Sequence, residues 1–150
     1  MQFTKRALMK GSFALLALAA LPRVLLAAVW PKKAFDATEM RAALVELLGT
    51  DVMAPTDQIT LKAPEIAENG AVVPVSIKTT LQNVESISIV VEKNPRPMVA
   101  TFEIPSGTLA DISSRIKMAE TSDVTAVVKT SDGLYSTAKQ VKVTIGGCGG

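Results

Sequence analysis

The spacing of apolar residues along this chain changes from helical to alternating near residue 57. Before that point Met40, Leu44, Leu47 and Leu48 fall on one stripe of a 3.6-residue period. Asp36 is placed to cap such a helix, with Glu39 three residues on completing a capping box. Phe35 and Met40 are spaced as a hydrophobic staple, and Gly49 is placed to end the helix. The pattern predicts one helix over 36–48. After residue 57 the period is two. Short β segments are predicted at 59–61, 65–67, 72–80, 84–92, 98–104, 112–118, 124–130 and 134–145. Asn69-Gly70 and Asp132-Gly133 read as hairpin turns, the first of type I′. Pro74 inside a strand argues for an edge or a bulge. About seven short strands with a turn every 8–12 residues predict an all-β fold. We expect an immunoglobulin-like antiparallel β-sandwich with one N-terminal helix, spanning residues 29–145.

Within the strand over 84–92, Ile87, Ile89 and Val91 share one face, and Ser86, Ser88 and Val90 share the other. Val90 and Val99 are therefore apolar residues on the outward side. Scattered exposed apolar residues are ordinary. Two apolar faces on one strand can also mean burial against a partner subunit. The pattern leaves both readings open.

The first 28 residues differ in kind. Lys5, Arg6 and Lys10 precede an apolar stretch over 11–29, and Leu26-Ala27-Ala28 offers small residues for a signal peptidase. The competing reading is a transmembrane anchor, but Pro22-Arg23 leaves apolar runs too short to span a bilayer. A cleaved export signal over 1–28 is expected. Thr4-Lys5-Arg6-Ala7-Leu8-Met9-Lys10 resembles the twin-arginine signal, with Lys5 in place of the first arginine. Ordinary secretion of the unfolded chain is the other route. The whole chain has 16 basic and 14 acidic residues. The first 28 residues hold four of the basic ones and none of the acidic ones, which leaves 12 against 14, a balance of −2. No basic face with stacking aromatics points to nucleic acid.

Composition closes most catalytic chemistry. There is no histidine and a single cysteine. A Ser-His-Asp triad, a Cys-His dyad and a His- or Cys-rich metal site all need residues that are missing. No EF-hand calcium loop, dinucleotide fingerprint or P-loop is found. The expectation is a protein that is not an enzyme, with no metal site and no cofactor of its own.

The single cysteine closes the chain in Gly146-Gly147-Cys148-Gly149-Gly150. Glycine has no Cβ and samples backbone conformations closed to other residues, so this stretch reads as a thin flexible arm. Five residues reach at most ~17 Å. An ordinary thiol titrates near ~8.5, so only a few per cent is thiolate at neutral pH. The nearest basic residue, Lys142, is six positions back and cannot activate it locally. Cys148 is the candidate site of covalent attachment, activated by whatever protein receives the arm.

The arm follows the strand Val141-Lys142-Val143-Thr144-Ile145, and in this it resembles the SoxY family of sulfur-carrier subunits of the bacterial sulfur-oxidising system. The segments Pro64–Val75, Glu92–Pro97 and Arg115–Ala119 carry the same resemblance. It implies a periplasmic heterodimer with a SoxZ-like subunit. It also implies that thiosulfate is taken up on Cys148 in a step run by a c-type haem enzyme. A manganese-dependent hydrolase would then release sulfate, and other Sox enzymes would oxidise the remaining sulfur. Two alternatives belong to other classes. One is an exported immunoglobulin-like interaction module with an incidental tail. The other is a carrier whose C-terminal Gly-Gly carboxyl, not the thiol, holds sulfur as a thiocarboxylate.

Overall fold

A computed structural model describes residues 30–144. The helical lead is two helices, α1 (Lys32–Asp36) and α2 (Met40–Leu48), not the single helix expected over 36–48. Asp36 ends α1 instead of capping α2. Its carboxylate is held by Lys32 one turn earlier and by Arg96 at 3.5 Å, so it is not offered to a helix N-terminus. Ala37 is extended (φ −62°, ψ 140°), and Glu39 is the residue before α2, with no side-chain capping bond. The capping box is therefore absent. The far end is as expected: Gly49 adopts φ 83°, a left-handed cap that few side chains tolerate, and donates to the Val45 carbonyl at 2.9 Å.

The remaining chain forms β1 (Ala54–Pro55), β2 (Ile59–Lys62), β3 (Ile66–Ala67), β4 (Val73–Thr79), β5 (Val84–Val91), β6 (Met98–Glu103), β7 (Asp111–Ile116), β8 (Ser122–Thr130) and β9 (Gly133–Val143). Seven of these have four residues or more. They make a large sheet in the order β1-β9-β8-β5-β6, with β3 also on β9, and a small sheet in the order β2-β4-β7. This is an all-β immunoglobulin-like sandwich with a helical N-terminal lead. Its core lies between the sheets. Val73, Val75 and Ile77 of β4 and Ile116 of β7 face Ile87, Ile89 and Val91 of β5, and Val124, Ala126 and Val128 of β8.

The outer face of the large sheet is also covered. Ala43 and Leu44 of α2 pack with Val90, Val127 and Met98 in a second cluster. Val90 is fully buried there. Its apolar character serves the chain's own helix, so the partner-burial reading of that residue falls. Val99 is explained by a bulge: Ile89 pairs with Ala100 and Val90 with Met98, which leaves Val99 as the extra residue. The bulge turns Val99 towards the main core, against which it packs. Both residues pack within the chain itself.

Two turn expectations divide. Ser131 and Asp132 form the tight β8–β9 turn, with Thr130 paired to Gly133. Asn69-Gly70, in contrast, is not a type I′ hairpin. Among the described residues positive φ occurs only at Gly49, Asn83, Gly107 and Gly133. The strand before Asn69 pairs in parallel with β9 and not with the strand that follows. Pro74 lies in the central strand of the small sheet rather than on an edge. It is tolerated because β2 stops at Lys62, opposite Ser76, so only β7 flanks the proline. No helix among the described residues is long and apolar enough to cross a membrane.

Candidate functional site

Cys148 and its glycines Gly146, Gly147, Gly149 and Gly150 lie outside the described residues, as do the signal segment 1–28 and Ile145. What the structure describes is the base from which they continue. β9 is the strand that carries the chain to them, and its last residues are gripped from two sides. On one side β3 runs parallel to it: the Lys142 amide donates to the Glu65 carbonyl at 2.9 Å, and the Thr144 amide donates to the Ala67 carbonyl at 3.1 Å. On the other side pairing with β8 ends at Ser122–Val141. There the Thr121 hydroxyl accepts the Val143 amide at 3.0 Å, one step beyond the last strand pair. The backbone is thus hydrogen-bonded up to Thr144.

A loop clamp backs this grip. The Asn94 side chain donates to the Lys117 carbonyl at 2.8 Å and accepts the Ala119 amide at 2.9 Å. Between those residues Met118 is buried, and its amide donates to the Gly70 carbonyl at 2.7 Å. Gly70 in turn lies against both Met118 and β9. A Cβ at this position would collide with the Met118 carbonyl oxygen and stand 2.9 Å from Val143 Cγ1. Glycine is needed here for close backbone approach, not for a left-handed turn. The Asn69 side chain shapes the bend by accepting the Ala71 amide at 2.9 Å.

The surroundings of the base are charged and wet. Glu65, Glu68, Lys142, Lys93 and Glu120 are exposed, and the last two approach at 3.9 Å. Among the described residues no group of three His, Cys, Asp or Glu side chains is arranged to hold a metal ion. Among the described residues the arrangement at this base is an exposed, charged surface. It offers a fixed point of departure for the residues that follow Thr144.

Sequence reasoning found the last strand, which ends at Val143 rather than at the expected Ile145, itself outside the described residues. It missed Thr121, Asn94 and the true role of Gly70. Asn94 appeared only inside the segment Glu92–Pro97 that carries the resemblance. Its partners lie more than twenty residues away, where local pattern carries no signal. Asn69-Gly70 gave a signal, but a hairpin and a tight backbone crossing both call for glycine.

Comparisons with known proteins converge. A family model described as "Sulfur oxidation protein SoxY" matches residues 44–148, a span that ends on Cys148. The solved structure of the sulfur carrier protein SoxY from Chlorobium limicola f thiosulfatophilum is similar at 39% identity and a TM-score of 0.63. That match covers 69% of this chain and 94% of the other. A structure of the bacterial superantigen toxic shock syndrome toxin-1 matches at 11% identity and a TM-score of 0.40, covering 57% of this chain and 99% of that one. No curated protein matches.

Proposed function

This chain belongs to the SoxY family of sulfur carriers in the Sox system, and from that premise we propose that Cys148 is the atom-bearing end of the carrier. The observation that carries this reading is the family match running through Cys148, beyond a strand whose last described residues are held on both sides. The rest of the chain positions the thiol and does not react.

The chemistry asked of Cys148 is simple to write. The thiol and thiosulfate join through a new S–S bond, giving a cysteine S-thiosulfonate, one proton and two electrons. The electrons pass to a c-type haem partner. Water then cleaves the terminal S–S bond, releasing sulfate and a proton and leaving a persulfide on Cys148. A manganese-dependent hydrolase is the partner for that step, and further Sox enzymes oxidise the sulfur that remains. A SoxZ-like subunit completes the carrier. The setting is the periplasm, reached through the signal over 1–28, by the twin-arginine route.

A tethered substrate suits this sequence of steps. Each partner that docks meets the bound sulfur as an intramolecular reactant, so no intermediate has to be released and recaptured. Gly146, Gly147, Gly149 and Gly150 keep the tip narrow enough for a channel, because none presents a side chain.

Intact-mass measurement of the chain isolated from cells consuming thiosulfate tests the proposal. The expected result is reductant-labile sulfur adducts on the C-terminal peptide that are absent from the Cys148→Ser protein. Adducts that survive the Cys148→Ala change would move the chemistry to the terminal carboxyl and sink the thiol reading. Growth on thiosulfate that survives deletion of residues 146–150 would favour the interaction-module alternative.

A further inference from the structure

The small sheet carries a notch that the carrier chemistry leaves unused. β2 halts at Lys62, and beyond Pro64 the chain crosses to β9. Proline at position 74 has no amide hydrogen to offer a further strand. The result is an open notch of about 480 Å³ floored by Pro74–Ser76, with Lys62–Pro64 on one wall and Ser113–Arg115 on the other. Residues paired directly across antiparallel strands share a face. Lys62 opposite Ser76, Ser76 opposite Ser113 and Pro74 opposite Arg115 therefore all lie on the outer side of the sheet.

That face is positively charged although the chain after residue 28 is net acidic. The three strands hold Lys62, Lys78 and Arg115 against a single carboxylate, Asp111, which Lys78 already approaches at 3.9 Å. Neither Lys62 nor Arg115 has an ion-pair partner among the described residues. A third ammonium, Lys139, donates to the Ala63 carbonyl in the notch wall at 2.7 Å. The notch also adjoins the base of the arm. Pro64 is followed by Glu65, whose carbonyl accepts the Lys142 amide. Cys148 is four residues beyond Thr144, a span of up to ~14 Å.

We propose that this notch is where a protein that works on Cys148 docks, by inserting an acidic loop between Lys62 and Arg115. The inference rests on the carrier reading and names the contact that carrier would use. Aspartate or glutamate side chains on the visitor would meet two unpaired cations and the hydroxyls of Ser76 and Ser113. Its active site would then lie within reach of the arm. Such a contact acts through electrostatic steering and weakens with salt.

The test uses the full mature chain, added back to periplasmic extract from cells that lack it, with thiosulfate-dependent reduction of cytochrome c as readout. The measured quantity is the concentration of chain giving half-maximal rate, across a range of sodium chloride. Charge reversal, Lys62→Glu with Arg115→Glu, is expected to raise that concentration about tenfold or more and to abolish its salt dependence, with the maximal rate unchanged. The neutral pair Lys62→Gln with Arg115→Gln should give a smaller rise, and Lys62→Arg with Arg115→Lys should restore the wild-type value. Lys33→Glu, an exposed reversal on α1, should change nothing. Unaltered half-saturation in the reversal variant, with its circular dichroism matching wild type, overturns the proposal. A change in self-association with unchanged half-saturation also overturns it, making the notch a contact between copies of this chain. If the Cys148→Ser chain restores the rate as well as wild type, the carrier reading itself fails, whatever the notch does.

Discussion

In the large sheet β5 and β8 are buried on both faces, whereas β4 in the small sheet alternates buried and open. Ser86 through Val91 of β5 are all buried, half of them against the opposite sheet and half on the side that α2 covers. In β4, Val73, Val75 and Ile77 are buried, while Pro74 and Lys78 are exposed. Residues 31–144 therefore form three layers: helices, large sheet, small sheet. Among the described residues the large sheet is covered on both faces, and the outer face of the small one is open. The covered outer face even carries matched polar groups, with the Ser88 and Thr101 hydroxyls 3.0 Å apart. A search for partner surfaces is thereby redirected, from the outward valines of the large sheet to the cations of the small one.

The contrast breaks most directly through the helical layer. Leu44 of α2 and Ile77 of β4 are both fully buried, in different clusters. Leu44→Ala and Ile77→Ala should each cost about 2–5 kcal/mol in denaturant unfolding, because each leaves a cavity. Ser113→Ala, on the open face, should change stability by no more than about 0.5 kcal/mol. A Leu44→Ala cost as small as that of Ser113→Ala would show that the helices do not seal the large sheet.

A smaller effect is expected where the loop between β3 and β4 meets the end of β9. Gly70→Ala puts a methyl into the Met118 carbonyl and the Val143 side chain. The backbone oxygen cannot swing aside as a side chain could, so a cost of about 1–3 kcal/mol is expected. Amide exchange at Val143 and Thr144 should accelerate more than at the middle of β8. Uniform acceleration along both strands would mean that Gly70 matters to the whole sandwich and not to the end of β9.

The same contrast decides what the sequence could reveal. The strand over 72–80 was legible because one face is open, so that buried Val73, Val75 and Ile77 alternate with Pro74, Ser76 and Lys78. In β5 the same rule assigned Val90 to an outside that does not exist. A second burying layer adds apolar residues to the polar phase, and period-two reading has no means of seeing the layer. The bulge at Val99 shifted the phase again, through one extra residue that composition does not mark. At the N-terminus Asp36 carries a helix-capping side chain, but ion pairs with Lys32 and Arg96 claim it. Arg96 is sixty residues distant, out of range of any local motif. The reading of Cys148 in its glycines, which lie outside the described residues, is of another kind. Its meaning rests on residue type and position alone, and no packing partner had to be inferred. The roles of Thr121 and Asn94, which depend on three-dimensional neighbours, left no local signal.

Next in size is the Asn94 clamp. Asn94→Ala removes two hydrogen bonds to the loop over 117–119, each worth about 0.5–1.5 kcal/mol. The site is partly open, so water replaces some of the loss, and the low end of that range is expected in a thermal melt. Asn94→Asp should keep the bond accepted from the Ala119 amide and lose the one donated to the Lys117 carbonyl, giving an intermediate value. Equal melting temperatures for all three proteins would show that the loop is held by Met118 packing alone.

The smallest effect belongs to the two ion pairs of Asp36, of which the one with Arg96 ties α1 to the β5–β6 loop. The hydrogen bond from Lys32 holds the Asp36 carboxyl below its ordinary value of 3.8, and the Lys32 and Arg96 charges add to this. A carboxyl depressed by folding stabilises the native state above its unfolded pKa, and the gain is lost as pH falls through the lower, folded value. Asp36→Asn should therefore lower the melting temperature slightly near pH 6, and the two proteins should converge as the pH is taken below 3.8. The carboxyl is partly exposed, so added salt should shrink the difference at pH 6 as well. A difference that persists in acid and in high salt would place the role of Asp36 in backbone packing at the end of α1, and the helical layer would then be held to the sheet by contact rather than by charge.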